Sequence, residues 1–564
     1  MKSLIKFGIV FYSCLLFSCS ANDDISGNGK NGEALDPRGT PAEPLPHSDS
    51  GIIRKKGNTL IDSLGQPVYL QGVAFGNEIW SHSKTEPVNH HSEIDYQRVK
   101  DMGMNVIRFY LNYHLFEDDN RPYEYRQEGW NWLDKNIAWA RKYGIYLILN
   151  MHAPQGGYQS QGKGDALWTD PENQNRLAAL WKAIAKRYAN EGIIAGFGPV
   201  NEPVPTSSIG QWSMLAQKIL DAIRTVNTSH LVFIENAIYV KGNFEMDQNL
   251  NFPQVTGKNI VYEFHGYFPH RFTHQLMEFT QLPDGGAYPD EDRIEVAGDA
   301  SEWYTTTYQN PGIDPETANW KFYEGIKFRI DDPKISFLQP TLAGEYTNKG
   351  TLFFDDISVK EYNEKGVFTR NIHTTSFDDA KPWFFWSRNK DGTGGITESN
   401  GRTDTFSAYI SSTTDIANLG ESSMLFVPIQ NYSYQISGWM MGKNLSERTN
   451  GKIRLDAYTV EGKLYRRNKE YLQYEMKKYV DWASKNNAIL YMGEFGTGYP
   501  SFQENKGGIQ YVKDMLDLAR EFGIHFTYHT YHEDNFGLYR GWQQPDPSNV
   551  NQALIDLFTE ELKN

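Results

Sequence analysis

The sequence is almost without cysteine. Of its 564 residues only Cys14 and Cys19 are cysteines, and both lie close to the N-terminus. The rest of the chain therefore contains no thiol and no disulfide. A folded body without disulfides has to be stabilised by its hydrophobic core alone.

Positive charge is also in deficit. Lys and Arg number 55 against 70 Asp and Glu, which gives a formal net charge of −15. Without a basic surface a nucleic-acid partner is excluded, and a polyanionic substrate is disfavoured.

The chain also lacks a His-Glu-x-x-His motif. Its His525 and His529 lie on one predicted strand, where four residues span roughly 13 Å, too far for one metal ion. We therefore expect no catalytic cofactor.

Apolar and aromatic residues are plentiful. They make up 39% and 14% of the chain, with 14 Trp and 34 Tyr. This is enough for a large core. Aromatic rings also suit the faces of sugars, although most of them must be core residues.

The first residues predict export. Lys2 and Lys6 precede an apolar run that is too short for a stable membrane anchor, which indicates a secretory signal over residues 1–19. Its end, Leu16-Phe17-Ser18-Cys19, resembles the lipobox of bacterial lipoproteins, with Cys19 as the lipidated residue. Residues 20–50 are rich in Gly, Pro, Asn and Asp and predict a flexible tether. We expect a monomeric cell-surface or outer-membrane lipoprotein whose only membrane contact is the lipid at Cys19.

Apolar strand-like runs alternate with amphipathic helices. Eight such runs are present: residues 68–75, NVIRFYL, IYLILNMH, IIAGFGPVNEP, HLVFIEN, NIVYEFHGYFPH, AILYMGEFG and IHFTYHTY. Strands separated by helices imply parallel pairing with crossover helices. The pattern predicts an α/β fold, a (β/α)8 barrel, in two parts over residues 51–290 and 468–564. In such a barrel the chemistry lies at the C-terminal ends of the strands.

Between the sixth and seventh strands, residues 291–467 change to evenly spaced short β-type runs. They predict an inserted all-β sandwich of two sheets. The insertion resembles a jelly-roll carbohydrate-binding module in circularly permuted order, because LFFDDISVKEY looks like its last strand and SFDDAKPWFFW like its first. Asp356 and Asp378 resemble the calcium-holding pair of such modules; ordinary turn and edge acids are the alternative. Trp383, Trp386 and Trp439 are candidates for a sugar platform or for core.

Polar residues interrupt the apolar runs where a strand without a function would carry Val or Leu. They are Arg108, His152, Asn201, Glu202, His265, Tyr267, Glu494 and His529. So many buried polar groups meeting at one face are too costly to be accidental, so they predict a functional site.

Two carboxylates across a barrel mouth suit glycosidic bond cleavage. A carboxyl group that ends an apolar strand is costly to ionise, so Glu202 is the candidate proton donor and later the base. Glu494 is the candidate nucleophile. Arg108 could hold Glu494 ionised, and Tyr267 could donate a hydrogen bond to it. Four further side chains complete the predicted site. Asn201 would bond a sugar 2-hydroxyl, and His152, His265 and His529 would line the reacting ring.

The motifs GPVNEP, YMGEFG, NVIRFYL, LNMH and EFHGY resemble those of glycoside hydrolase family 5, in the clan of retaining (β/α)8 glycosidases. The resemblance covers about 51–290 and 468 to the C-terminus. It implies Glu202 as acid/base and Glu494 as nucleophile in a double displacement with retention. In one departure, His529 stands about where the family usually has a Trp.

The resemblance implies a β-linked polysaccharide substrate, and we expect an endo-β-1,4-glucanase. A β-1,4-mannanase, another β-glycanase, an exo-glycosidase, a transglycosylase and a noncatalytic glycan-binding lipoprotein are the alternatives. Trp80, Tyr158 and Trp168 are candidates to stack on sugar units, or alternatively anchor loops in the core.

Overall fold

The protein is described here from a computed structural model. It describes residues 51–563 apart from 82–83, 161, 281, 283, 316, 379–382 and 422–423. The predicted signal, the tether and Cys19 lie outside the described residues. The described chain divides into two compact units: one holds the described residues up to Tyr267 with Gln473–Tyr499 and Ile509 onward, and the other holds Phe268–Leu472 and Pro500–Gly508.

The first part of the chain alternates strands and helices. Its elements are β1 (Arg54–Lys56), β2 (Thr59–Ile61), β3 (Gln71–Phe75), α1 (Glu93–Asp101), β4 (Val106–Asn112), β5 (Glu117–Asp118), β6 (Arg121–Tyr125), α2 (Gln127–Tyr143), β7 (Tyr146–Ala153), α3 (Asp165–Thr169), α4 (Pro171–Arg187), β8 (Ile194–Gly198), α5 (Ile209–Arg224), β9 (Leu231–Glu235), β10 (Ile260–Gly266) and α6 (His270–Thr273).

The insertion follows as β strands among its described residues. They are β11 (Asp290–Thr306), β12 (Lys321–Glu324), β13 (Phe328–Arg329), β14 (Phe337–Glu345), β15 (Thr351–Tyr362), β16 (Phe368–Thr375), β17 (Phe384–Ser387), β18 (Thr393–Thr397), β19 (Ser407–Ser411), β20 (Ile416–Gly420), β21 (Ser433–Lys443) and β22 (Asn450–Arg467). The alternation then resumes with α7 (Lys469–Asn486), β23 (Leu490–Phe495), α8 (Gly508–Phe522), β24 (His525–Tyr528) and α9 (Gln552–Leu562).

Eight strands form a closed barrel in the order β3, β4, β7, β8, β9, β10, β23, β24. Every neighbouring pair is parallel, and β24 pairs with β3 to close the ring. This confirms the predicted (β/α)8 fold. The helices between the strands end as the sequence predicts; α2, for example, stops at Gly144, whose φ of 69° lies in the left-handed region that favours glycine.

A cluster of buried apolar side chains joins six barrel strands to the N-terminal β1–β2 hairpin. It includes Val106 of β4, Ile148 of β7, Phe233 of β9 and Val261 of β10. Since side chains alternate between the two faces of a strand, the residues two and four positions further along point to the same face as these. The cluster therefore fixes which later residues of each strand face the ring interior.

The second unit contains two mainly antiparallel sheets. One has the order β11, β22, β14, β20, β17, and the other includes β12, β21, β15, β19 and β18, with β13 paired to β21 and β16 to β15. Side chains from both sheets form one core, including Leu338, Leu352, Phe354 and Ile410. The first strand of the insertion starts at Asp290. The long segment of the compact unit that contains it starts earlier, at Phe268.

In the part of the chain that the structure describes, no helix has the length and apolar character needed to cross a bilayer.

Candidate active site

The barrel strands carry their polar side chains one layer beyond the apolar cluster. Two residues after Val106 comes Arg108, two after Phe233 comes Glu235, and two after Val261 comes Glu263. The same alternation continues to the strand ends, where it places Tyr110, His152 and His265. Because side chains alternate along each strand, the polar residues form a layer directly next to the apolar cluster.

Arg108 is the centre of this site and is fully buried. Its Nη1 donates to Oε1 of Glu494 at 2.6 Å, and its Nη2 donates to Oδ1 of Asn201 at 2.8 Å. Its Nε lies 2.8 Å from Oε1 of Glu263, and its Nη2 is 3.4 Å from Oε2 of Glu235. A buried guanidinium needs such partners, because an unpaired buried charge is very costly.

Glu494 is held by three donors. Besides Arg108, the hydroxyl of Tyr110 donates to its Oε1 at 2.5 Å and the hydroxyl of Tyr267 donates to its Oε2 at 2.8 Å. Burial raises the pKa of Glu494, but the positive charges of His265 and Arg108 outweigh it and hold the pKa well below its usual value. The carboxyl group is therefore ionised and fixed in orientation, as a nucleophile requires.

Glu202 lies four residues beyond the end of β8, with a φ of 43° that is unfavourable for a residue with a side chain. Its backbone N–H donates to Oε1 of Glu235 at 3.0 Å, which stabilises this conformation. Its Oε1 lies 2.9 Å from Nδ1 of His265. The side chain of Glu202 is 17% exposed, against 5% for Glu494, so it is the more accessible acid.

The imidazole of His265 lies among four carboxyl groups. Burial lowers its pKa, but the interactions with Glu235 and Glu494 and the hydrogen bond to Glu202 outweigh burial, and the pKa rises well above the usual value. His265 is thus an imidazolium at neutral pH. It compensates part of the negative charge gathered around it.

The two candidate catalytic acids are close together. One carboxyl oxygen of Glu202 and one of Glu494 lie within 4.8 Å of each other, with Nδ1 of His265 at the same range. Carboxyl groups about 5–5.5 Å apart suit a direct attack on the anomeric carbon, whereas a pair ~6.5–9.5 Å apart leaves room for a water molecule. The geometry suits double displacement.

The other predicted residues line the same site. His152 stacks on Tyr110 with 3.9 Å between ring centroids, and burial lowers the pKa of His152 well below its usual value. His529 is buried, and its Nδ1 lies 3.0 Å from the hydroxyl of Tyr110. Asn201 also donates to Oγ of Ser160 at 3.2 Å.

The predicted aromatic platform separates into two parts. Trp80 lies near His152 and His529, with its Nε1 donating to the hydroxyl of Tyr158 at 3.2 Å. Trp168 is not a surface platform, and here the expectation is corrected. It is 4% exposed, packs edge-on against Trp212 and donates its Nε1 to Gln159 at 2.7 Å. Its helix α3 turns the indole inward.

Sequence reasoning missed four residues of the site: Tyr110, Glu235, Glu263 and Glu533. Glu235 and Glu263 could have been found, because each is an acid within an apolar run, HLVFIEN and NIVYEFHGY. Tyr110 gives no such signal, since a tyrosine is ordinary in a buried strand. Glu533 follows the last strand in a loop, so only the fold brings it to the site.

Among the residues that the structure describes, two sets offer metal-ligand atoms within 4.8 Å of one another: Glu202 with His265 and Glu494, and Glu235 with Glu263 and His265. Arg108 is ion-paired with Glu494, Glu235 and Glu263. Both sets therefore already contain positive charge from the protein, which would repel a cation.

In the insertion, Asp356 forms an ion pair with Arg402. Asp378 accepts a hydrogen bond from Ser376 at 2.6 Å and interacts with Asp404. Burial and the neighbour Asp378 raise the pKa of Asp404. Burial is also the largest cause of a rise in the pKa of Asp355 to about 6. The two predicted acids thus belong to a larger group of carboxyl groups.

Comparisons with known proteins agree with this geometry. Residues 61–313 match the family model "Cellulase (glycosyl hydrolase family 5)", a range that includes Glu202 and ends before Glu494. Endoglucanase C of Acetivibrio thermocellus is 28% identical over 275 residues, which cover 49% of this chain and 71% of that protein. An endoglucanase of Paenibacillus polymyxa is 30% identical over 265 residues, covering 41% of this chain and 64% of the relative.

Among solved structures, endoglucanase Cel5A of Thermotoga maritima superimposes with a TM-score of 0.45 at 15% identity, covering 87% of this chain and 96% of that one. The matching family model and the endoglucanase relatives agree with a barrel that brings two carboxyl groups together. Residues 61–313 are therefore similar to the glycosyl hydrolase family 5 domain, and the protein is a glycoside hydrolase.

Proposed function

We propose that the enzyme is an endo-β-1,4-glucanase that cleaves with retention of the anomeric configuration. The observation that carries this proposal is the separation of Glu202 and Glu494, whose nearest carboxyl oxygens lie within 4.8 Å. The choice of β-1,4-glucan is supported by relatives named endoglucanase.

The first step forms a glycosyl ester. The carboxylate of Glu494 attacks the anomeric carbon while Glu202 gives its proton to the departing glycosidic oxygen. Arg108, Tyr110 and Tyr267 keep the carboxylate oriented for the attack.

In the second step the ester is hydrolysed. The carboxylate of Glu202 takes a proton from water, whose oxygen attacks the anomeric carbon, and the bond to Glu494 breaks. Two inversions at one carbon leave the original configuration. His265, whose Nδ1 lies 2.9 Å from Oε1 of Glu202, keeps this carboxyl group oriented in both steps.

A panel of β-1,4-glucan, β-1,4-mannan, xylan and β-1,3-glucan tests the substrate, with Glu202→Ala and Glu494→Ala as the matched variants. We expect reducing ends to appear fastest from β-1,4-glucan and to be lost in both variants. NMR of the first product should show the β-anomer. A first product with the α-anomer would contradict retention, and faster cleavage of mannan would change the substrate.

We further propose that the insertion binds glycan chains through the outer face of its five-stranded sheet. On β17, Phe385 points to the core, while Phe384 and Trp386 alternate with it and are 36% and 41% exposed. Trp386 lies opposite Asn418 of β20, whose amide oxygen accepts from Arg454. An aromatic ring beside polar groups suits a sugar ring.

Of the other two candidate platform residues, Trp383 belongs to the sandwich core and Trp439 stacks with Arg402. Trp386 is therefore the residue to test. Trp386→Ala should weaken the retention of the protein by β-1,4-glucan in affinity electrophoresis. Phe368→Ala, which removes another exposed ring, on β16, is the control. Equal retention of both variants would contradict the proposal.

We also propose that calcium binds among the insertion's acids Asp355, Asp356, Asp378 and Asp404. Several carboxyl groups with one arginine leave net negative charge, and carboxylate oxygens are the ligands that calcium takes. Asp356 would then bind the calcium ion and give up part of its ion pair with Arg402.

Finally, we propose that the protein is exported and anchored by a lipid at Cys19, and that it acts as a monomer. The composition of residues 1–19 supports export. Labelling of the wild type but not of Cys19→Ala with a clickable fatty acid would support the anchor. Equal labelling of both would contradict it, and light scattering would test the monomer.

A further inference from the structure

The loop after β24 places a third acid, Glu533, behind the nucleophile. Its carboxyl group is buried, with 5% of the residue exposed, and its Oε1 accepts the backbone N–H of Phe536 at 2.9 Å. The same Oε1 lies 3.8 Å from Nε2 of His529. The charged and titratable groups that face it are Glu494, His529, Tyr528 and Asp534.

The hydrogen bonds between this acid and the nucleophile have one possible direction. Glu494 is ionised and only accepts, so the hydroxyl proton of Tyr110 is used in the 2.5 Å bond to Glu494. The 3.0 Å contact between Tyr110 and Nδ1 of His529 then requires Nδ1 to be the donor. Burial is the largest cause of a lowered pKa of His529, so the ring is neutral and its Nε2 is an acceptor.

That acceptor faces Glu533. Burial raises the pKa of Glu533 to about 8, so at neutral pH its carboxyl group carries a proton that it can donate. The 3.8 Å between Oε1 of Glu533 and Nε2 of His529 is longer than a hydrogen bond, so the donation requires the carboxyl group to move closer to the ring. Each donor then faces an acceptor: Glu533 donates to His529, His529 donates to Tyr110, and Tyr110 donates to the nucleophile.

We propose that the protonated carboxyl group of Glu533 is a positioning residue for the catalytic nucleophile. It fixes the tautomer of His529, and His529 in turn directs the hydroxyl of Tyr110 at Glu494. The inference rests on the proposed role of Glu494 as nucleophile.

Ionisation of Glu533 reverses the chain. A carboxylate at this position accepts a hydrogen bond from Nε2 of His529. This favours the tautomer in which Nδ1 carries no proton. Nδ1 then competes with Glu494 for the proton of Tyr110, so the nucleophile loses a fixed donor. The turnover number should therefore fall as the pH rises through about 8.

The test compares pH profiles of kcat and KM on a soluble β-1,4-glucan for the full chain. In Glu533→Gln the amide still donates but does not titrate, so we expect a larger retained fraction of kcat at pH 9 than in the wild type, by roughly threefold to tenfold. Glu533→Leu lacks the donor, and its kcat should be lower at every pH with KM little changed. Glu521→Gln, on the exposed face of α8, is the control and should keep the wild-type profile.

A second variant tests the same chain at another link. Tyr110→Phe removes the hydroxyl through which Glu533 acts, so it should lose the decline near pH 8, and adding Glu533→Gln should change its profile no further. If Glu533→Gln does not fold, the pH profile of Tyr110→Phe alone still tests the proposal.

Wild-type alkaline profiles in both Glu533→Gln and Tyr110→Phe, with Glu494→Ala inactive, would overturn this inference and leave the proposed function intact. An active Glu494→Ala variant would overturn the proposed function instead.

Discussion

The Nδ1 atom of His265 lies 2.9 Å from Oε1 of Glu202. The opposite nitrogen, Nε2, lies 3.3 Å from Oε1 of Glu235, so one imidazolium connects the candidate acid/base with a buried acid from the next strand. The protonation of this histidine therefore affects the charge of the whole site.

Replacing His265 should change the acid side of the activity profile. His265 is the largest of the positive charges that hold the pKa of Glu494 down, so His265→Gln should let that pKa rise. The acid limb of kcat/KM should then move to higher pH, by roughly one unit or more. His270→Gln is the control, and an unmoved acid limb in His265→Gln would contradict the role.

His265 should also make stability depend on pH. Its folded-state pKa is raised above the unfolded value of about 6.5, so its stabilising effect is present below that value and is lost as the pH rises through the folded pKa. Denaturant unfolding of the wild type and His265→Gln should show the largest difference in free energy at about pH 6. A difference that grows toward alkaline pH would contradict the assigned sign.

Glu235 should tolerate an amide and not an apolar residue. Burial raises the pKa of Glu235 well above its usual value, and its Oε1 accepts the backbone N–H of Glu202. Glu235→Gln keeps this acceptor and, like the protonated carboxyl group, carries no charge, so kcat should stay within about threefold of the wild type. Glu235→Leu leaves the N–H unpaired, which costs ~1–3 kcal/mol, and should lower kcat by at least tenfold. Equal kcat values for the two variants would contradict this.

Replacing Trp168 should mainly lower stability, whereas replacing Trp80 should mainly weaken substrate binding. Trp168→Ala removes a buried indole and should lower the free energy of unfolding by ~3–5 kcal/mol. Trp80→Ala, in contact with the site histidines, should raise KM for oligosaccharides with a smaller loss of stability. Chemical denaturation and kinetics on both variants make the comparison, and a KM effect confined to Trp168→Ala would reverse it.

Calcium should stabilise the insertion. If the ion binds there, unfolding in excess calcium should need ~2.7 kcal/mol more than in EDTA at a free concentration of about 100 times Kd. Asp378→Asn should reduce the difference, and Asp331→Asn, an exposed acid of the same unit, should not. No difference between calcium and EDTA in the wild type would exclude the site.

The barrel could be predicted because each apolar run is followed by a helix with its own stop signal, such as Gly144. The strand period then explains why Arg108 and His265 share one face. Trp168 could not be placed, because the direction of its indole depends on how α3 packs against Trp212. Glu533 could not be linked to His529 either, since its pairing depends on how a loop folds back over the ring.

The ring is closed by pairing between β24 and β3, the last and the first of its strands. During synthesis, six strands therefore leave the ribosome before the whole insertion is made, and only then do the last two follow. Until that moment β3 and β10 have unpaired edges and Arg108 lacks Glu494. The nascent enzyme should thus depend on chaperones that protect open sheets, and any premature stop should leave an inactive, aggregation-prone fragment.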